Sequence, residues 1–374
     1  MSTASRSAAV IGIGSSTIER RSPCSITAFA VDAALNAIAD AGLSKDDIDG
    51  YVGAPTATNA GALHVDGADE VSMRHVSRAL GFTSLSFQVD LAKAFATDMV
   101  AVAAHALRCG ACEFVLGVRA LYNLPDQPYG VSSANFAFGD DQFLTPFGYN
   151  AAGARFATRA QRYLAISGAT RRDLFEVVAH ARRHASRNPF AIWRDRNVTL
   201  EEYLDAPMVA DPFGRLDCDM PVCGAVAFVM SRGELARSLP HPPVYVAGAA
   251  NGQRASDIFT HASRRRDDID FCQLYDGFSG MLYEWLEGLG WCEPHTAWKF
   301  IRDGHCELDG KLPVNSFGGS LGEGRLHGMG HLREAVLQLS GRAQGRQLAK
   351  ADNALVQIGP FDASSFLILS ASPA

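Results

Sequence analysis

The chain has 374 residues, of which 47% are hydrophobic and 20% charged, a globular composition too long for one simple core and unlike a disordered chain. A net charge of -6 and a pI near 6.0 provide no basic field for a phosphate backbone, which argues against nucleic acid as a partner. The opening apolar stretch is too short for a signal core, no apolar run reaches the ~18 residues of a membrane span, and the eight cysteines are scattered. Reduced thiols, a cytoplasmic location and no membrane span are the expectation.

Residues 8–15 read as a buried strand ending in glycines, and Ser25 to Ala41 as a helix with Gly42 beyond its end. Asp46-Asp47-Ile48-Asp49 leads into a strand at Gly50–Val52. A helix over 70–81, a strand at Leu85–Val89, a helix from about Ala94 to Arg108 and a strand at Glu113–Val118 follow. Such alternation predicts a mostly parallel sheet covered on both faces. From 119 to 210 the character changes: Pro, Gly and aromatic residues crowd 121–150, and two amphipathic helices follow near 151–166 and 171–187. An inserted loop or cap domain is expected there. Its aromatic residues Tyr122, Phe136, Phe138, Phe143, Phe147 and Tyr149 suit either a bulky ring substrate or a core.

Ala225–Met230 returns to the core as a strand. The remainder repeats the opening: a strand at Val244–Gly248, a second Asp-Asp-Ile-Asp at 267–270 before the strand Phe271–Leu274, then a helix over Gly280–Leu289. Val314–Gly324 reads as strand plus glycine loop, Leu332–Ser340 as a helix and Ala354–Ile358 as a strand. Shared element order points to duplication, with halves at 1–240 and 241–374.

In order, VIGIG, the segment AGLSKDDIDGYV (41–52), Gln161-Arg162-Tyr163, Arg183 to Pro189, TLEEYLDAPMVA (199–210), Tyr275 to Ser279 and the Val314–Gly330 loop span essentially the whole chain. Together they resemble the thiolase superfamily, nearest to the thiolase-like lipid-transfer proteins, the steroid side-chain aldolases and the thiolase domain of sterol carrier protein X. The resemblance implies an α/β thiolase fold, duplicated as five αβαβα layers. It implies coenzyme A thioesters as substrates, no tightly bound cofactor, a homodimeric core and a small zinc-ribbon/OB-fold acyl-CoA-binding partner.

Thiolases place a nucleophilic cysteine at a helix N-terminus in the first half, where the helix dipole stabilises a thiolate. Counting back from Gly110 puts that position near Lys93, and no cysteine lies between Cys24 and Cys109. A covalent acyl-cysteine is therefore not expected, and Lys93 is either an amine nucleophile, a local cation or a surface residue. The C-terminal thiolase cysteine is also missing, since the matching stretch reads Val356 to Asp362 without one.

Tyr275, in the sequence Leu274 to Ser279, matches the catalytic tyrosine of the steroid-type aldolases, and a phenol there acts as hydrogen-bond donor, acid or base. Asp276 is expected to support it or to cap the following helix. The glycine-rich run from Ser316 to His331 lets backbone approach a ligand, with Ser316, Gly318 and Gly319 as expected contacts. Where thiolases carry Gly-His and the aldolases Gly-Tyr, this chain has Gly324-Arg325, with His327 two residues on. Arg325 and His327 are read as electrostatic support and proton transfer, and His331 as facing the helix.

Cys109 and Cys112 have CxxC spacing without a second CxxC, Gly12 and Gly14 lack the third glycine of a dinucleotide loop, and no metal site is assigned. Arg264, Arg265 and Arg266 form a basic cluster open either to solvent or to a CoA phosphate. The leading reading is a lyase that cleaves a β-hydroxyacyl-CoA with a steroid or aromatic acyl group by retro-aldol chemistry. The alternatives are β-ketoacyl-CoA thiolysis or acyl transfer, and a non-catalytic subunit of an acyl-CoA-binding heteromer.

Overall fold

The computed structural model describes residues 7–55, 64–124, 137–149, 151–252, 257–360 and 364–373. The chain runs through β1 (Ala8–Ser15), α1 (Ile26–Asp40), β2 (Gly50–Gly53), α2 (Met73–Leu80), β3 (Phe87–Asp90), α3 (Ala96–Arg108) and β4 (Phe114–Leu121). It continues through α4 (Ala152–Ser167), α5 (Arg171–Ala185), α6 (Leu200–Asp205), β5 (Met208–Ala210), β6 (Phe213–Gly214), β7 (Gly224–Arg232) and α7 (Gly233–Ala236). The last part holds β8 (Val244–Asn251), α8 (Asp257–His261), β9 (Phe271–Leu274), α9 (Met281–Gly288), α10 (Ala297–Arg302), α11 (Gly319–Glu323), α12 (Met329–Leu339), β10 (Asn353–Ile358) and β11 (Ser365–Ser370).

Nine strands are ordered β3-β2-β4-β7-β1-β8-β11-β10-β9. On one side β2 is parallel to β3 and β4, β4 is antiparallel to β7, and β7 to β1. The other side repeats this in mirror order: β9 is parallel to β10, β10 antiparallel to β11, and β11 to β8. The two sets meet where Ala9 faces Tyr245 and Val10 faces Val244. The paired Asp-Asp-Ile-Asp segments do the same work twice. Asp49 accepts the Phe114 N–H at 2.8 Å as β4 begins, and Asp270 accepts the Asn353 N–H at 2.9 Å as β10 begins.

Strand alternation sorts the core into layers. On β7, Val226, Phe228 and Met230 join a central cluster with α3 and α12, while Ala225, Ala227 and Val229 face α1. On β11, Leu367 and Leu369 face the same centre, while Phe366 and Ile368 turn to an outer cluster that includes α9. Helix, strand set, α3 with α12, strand set, helix: this is the five-layer thiolase fold. Gly12 and Gly14 serve that packing, because a Cβ at either would strike the Ala37 backbone of α1. Close helix–strand approach explains them without a nucleotide.

The strand β4 persists to Leu121 and the sheet resumes at Gly224, so the intervening stretch is wider than the 119–210 read from composition. Its α5 lies against α10 and α11 and its apolar residues join the outer cluster of the second strand set. Strand β11 fills the place between β8 and β10 and was not foreseen from the sequence. Among the described residues no helix is long and apolar enough to cross a membrane. All eight cysteines are free, with Cys109 exposed and Cys112 buried.

Candidate active site

Helix α3 begins at Ala96, and its first turn is built from Phe95, Ala96, Thr97 and Asp98. Asp98 closes the turn by accepting the Phe95 N–H at 2.9 Å and the Ser365 hydroxyl at 2.6 Å. Among the described residues no cysteine is part of this first turn. Lys93 lies before it, exposed and in the left-handed backbone region (φ 55°), so the counting that brought it to the tip was three residues short. Cys218, in a β-bridge with Phe278, has its thiol turned to the Gly214 carbonyl and its pKa pushed up by burial.

Tyr275 leaves the end of β9, where its N–H is held by the Gln357 carbonyl at 3.0 Å. Asn315 fixes the preceding residue from the other side: its amide accepts from Leu274 N–H and donates to Leu274 C=O, both at 2.8 Å. The strand end is thus gripped on both edges. The Arg325 side chain donates a hydrogen bond to the Tyr275 phenol and lies 3.9 Å from the Asp219 carboxylate. Burial raises the phenol above the ordinary tyrosine range, Asp219 adds to the rise and Arg325 opposes it. Tyr275 therefore rests protonated, as a donor.

His327 is 3% exposed and also in the left-handed region (φ 47°). The buried Arg119 of β4 reaches it, with a guanidinium nitrogen 2.8 Å from His327 Nδ1, and also donates to the Ala94 carbonyl before α3. Burial with nearby Arg325 lowers the Arg119 pKa to about 10, which leaves it charged at neutral pH. A guanidinium only donates, so Nδ1 is the acceptor and the imidazole proton is on Nε2. Burial, Arg325 and Arg119 all hold the ring far below the usual histidine range, hence neutral. His327 Nε2 is buried with no protein hydrogen-bond partner among the described residues. With its proton on Nε2, the ring is placed as an N–H donor.

Other expected contacts are used internally. Asp276 accepts the Ser320 N–H at 2.7 Å and His331 Nε2 at 3.2 Å, so it caps α11 rather than α9 and positions the glycine loop. His331, 1% exposed, points at Asp276 and the Leu274 carbonyl. The Ser316 hydroxyl donates to Glu334 at 2.7 Å and accepts from Gln273, so it is not directed at a ligand. Gly318 sits under the Ala181 carbonyl of α5, and a Cβ on Gly319 would collide with the Asp276 carboxylate. These glycines serve packing, with positive φ of 103° and 62°.

Arg119 and Asp219 were missed by sequence reading. The signal for Arg119 was a lone cation inside the apolar run Phe114–Leu121; nothing marked Asp219. Arg264 to Arg266 are tied to their own surface, with Arg265 paired to Asp268 at 3.1 Å and Arg266 donating to Gly290 C=O. An arginine-rich cavity, with Glu202 and Asp205 also in its lining, lies elsewhere. It measures about 490 Å³ and is lined by Arg20, Arg182, Arg196 and Arg215 with Trp193 and Met220. It adjoins the loop of Arg325 and His327, because the Met220 carbonyl accepts the Arg325 N–H at 2.8 Å.

Residues 242–371 match the family described as thiolase C-terminal domain-like. Over 402 aligned residues the chain is 34% identical to the steroid side-chain-cleaving aldolase of Thermomonospora curvata, covering 99% of this chain and 100% of the relative. The chain belongs to the aldolases of the thiolase superfamily. A second relative, the 17-hydroxy-3-oxo-4-pregnene-20-carboxyl-CoA lyase of Mycobacterium tuberculosis, is 32% identical over 97% of this chain and 98% of its own. The solved Ltp2-ChsH2(DUF35) aldolase superposes with a TM-score of 0.85 at 32% identity, covering 98% of both chains. As an aldolase, a carbon–carbon lyase, the chain has no need of a thiolate at α3.

Proposed function

We propose that this aldolase cleaves a β-hydroxyacyl-CoA with a steroid acyl group by retro-aldol chemistry, with Tyr275 relaying the proton. The observation that carries this reading is one arginine, Arg325, acting on both a protonated Tyr275 and a buried His327 whose Nε2–H has no partner among the described residues, beside a helix start without cysteine. The C–C bond electrons pass into a thioester enolate while the β-hydroxyl carbon becomes a ketone. Tyr275 gives its proton to the α-carbon and recovers one from the hydroxyl, so the proton count closes. His327 and Arg325 donate to the enolate oxygen.

The arginine-lined cavity is read as the seat of the CoA phosphates, its size being within the usual ~300–1,000 Å³ of ligand sites. Residues 1–240 and 241–374 are read as the two repeats. Exposed Phe138, Phe143 and Phe147 support docking of a small acyl-CoA-binding partner, and a homodimeric core is part of the same reading.

The test is incubation of the chain, alone and with its neighbouring gene product, with 17-hydroxy-3-oxo-4-pregnene-20-carboxyl-CoA. Release of a ketosteroid and a shorter acyl-CoA, with no label left on protein from labelled acyl-CoA, is the expected result. CoA-dependent thiolysis through an acyl-protein adduct overturns it.

A further inference from the structure

Helix α5 carries His180 and His184 one turn apart, an HxxxH spacing that the sequence reading took to be missing. Both rings are buried, and Glu307 faces them from the segment before β-paired Val314. His180 Nε2 is 2.9 Å from the Val314 carbonyl, and His184 Nδ1 is 3.1 Å from the Asn315 carbonyl. A carbonyl only accepts, so each of these nitrogens carries the proton. In the neutral rings the other nitrogens are lone pairs. Those lone pairs, His180 Nδ1 and His184 Nε2, lie 3.3 Å and 3.2 Å from the two oxygens of Glu307. Two lone pairs facing one carboxylate repel it.

Two conditions relieve that repulsion: both rings become imidazolium ions, or a cation sits among the three groups. The first would crowd two buried positive rings, each with a side chain 2% exposed, beside Arg183, which already contacts Glu307 at 2.6 Å. Three positive charges around one carboxylate is a costly arrangement away from water. Geometry suits the second. Ligand atoms of a tetrahedral zinc site with bonds of about 2.0–2.1 Å are roughly 3.3 Å apart; each ring nitrogen lies 3.3 Å or 3.2 Å from one Glu307 oxygen, and one ligand atom of each of the three groups falls within 4.8 Å of the others. Ligating histidines commonly donate their second N–H to a backbone carbonyl, as both rings do.

We propose that His180 Nδ1, His184 Nε2 and Glu307 bind one divalent transition-metal cation, zinc by the character of its donors. Water enters as the fourth ligand through the exposed side of Glu307, whose side chain is 26% accessible, and the half-exposed Arg183 swings aside. The ion clips α5 of the inserted stretch to Glu307, while the same two rings hold the Val314 and Asn315 carbonyls. Asn315 in turn grips Leu274, next to Tyr275. The site is distinct from the cluster of Tyr275, Arg325 and His327, and its role is to position.

The chain, expressed by itself in zinc-supplemented medium, is expected to carry about one zinc per polypeptide by elemental analysis. Its Tm should rise with added ZnCl2 after chelator treatment, and Co2+ should give visible bands of a four-coordinate N/O site. The Glu307→Gln and His184→Gln variants, checked for folding by circular dichroism, should lose the bound metal, whereas Cys109→Ser/Cys112→Ser should keep it. Wild-type chain with no bound zinc and no Tm response to ZnCl2 overturns the proposal, and needs no variant to do so. Equal zinc in wild-type and in a folded Glu307→Gln variant overturns it as well.

Discussion

Tyr275 and His327 share a buried site yet are tuned in opposite directions: the phenol is raised and the imidazole lowered, so both are neutral donors at physiological pH. Tyr275→Phe removes the relay and keeps the ring, so kcat is expected to fall roughly 10²–10⁴-fold with little change in fold, measured by product release and circular dichroism. The pH profile follows from the two directions. A lowered imidazole adds no step near the usual ~6.5, and a raised phenol moves the alkaline fall above ~10; kcat/KM measured between them should be level. A clear inflection at the imidazole position would show that Arg119 does not fix the ring. The sequence nominated Arg325 and His327, each beside a glycine, and Tyr275, two residues before one, because they lie in segments with a known resemblance. Arg119 was not, because its role depends on a partner 208 positions away that no local pattern reveals.

At the scale of elements, the short helix α11 decides how the glycine loop is held. Its N-terminus is capped by Asp276 from beyond β9, a long-range contact where sequence reading supposed a local one. Gly319→Ala would force a Cβ against that carboxylate at a left-handed φ. It is expected to cost at least about 2 kcal/mol, visible as a lower urea midpoint, with catalysis falling further because His331, Asp276 and the loop shift together. Strands and helices with strong periodicity, such as β1, α1, α3 and α12, stand within a few residues of where the sequence put them. Strand β11 has six buried residues without alternation, so no period announced it. Ser316 looked like a ligand contact because serine among glycines does so in many loops; its burial against Glu334 is a tertiary fact.

On the whole-molecule scale, the two strand sets are joined at two residue pairs and by a shared filling of α3 and α12. Neither set can cover that filling by itself, because α12 supplies the second set's share of the centre. A fragment of residues 1–240 is therefore expected to be insoluble or to bind a hydrophobic dye, assayed after refolding, rather than to melt cooperatively. Duplication was legible from the repeated Asp-Asp-Ile-Asp, and Asp49 and Asp270 show why it was repeated. How the sets dock was not, since both contribute to one centre only after folding.

Arg119 extends from one strand set to a ring on the loop that belongs with the other. A slip by little more than the tolerance of one hydrogen bond would break that reach and release the imidazole proton from Nε2, while every helix stayed wound. The ring works as a gauge of registry, so on mild warming turnover is expected to fall before the far-ultraviolet circular dichroism changes.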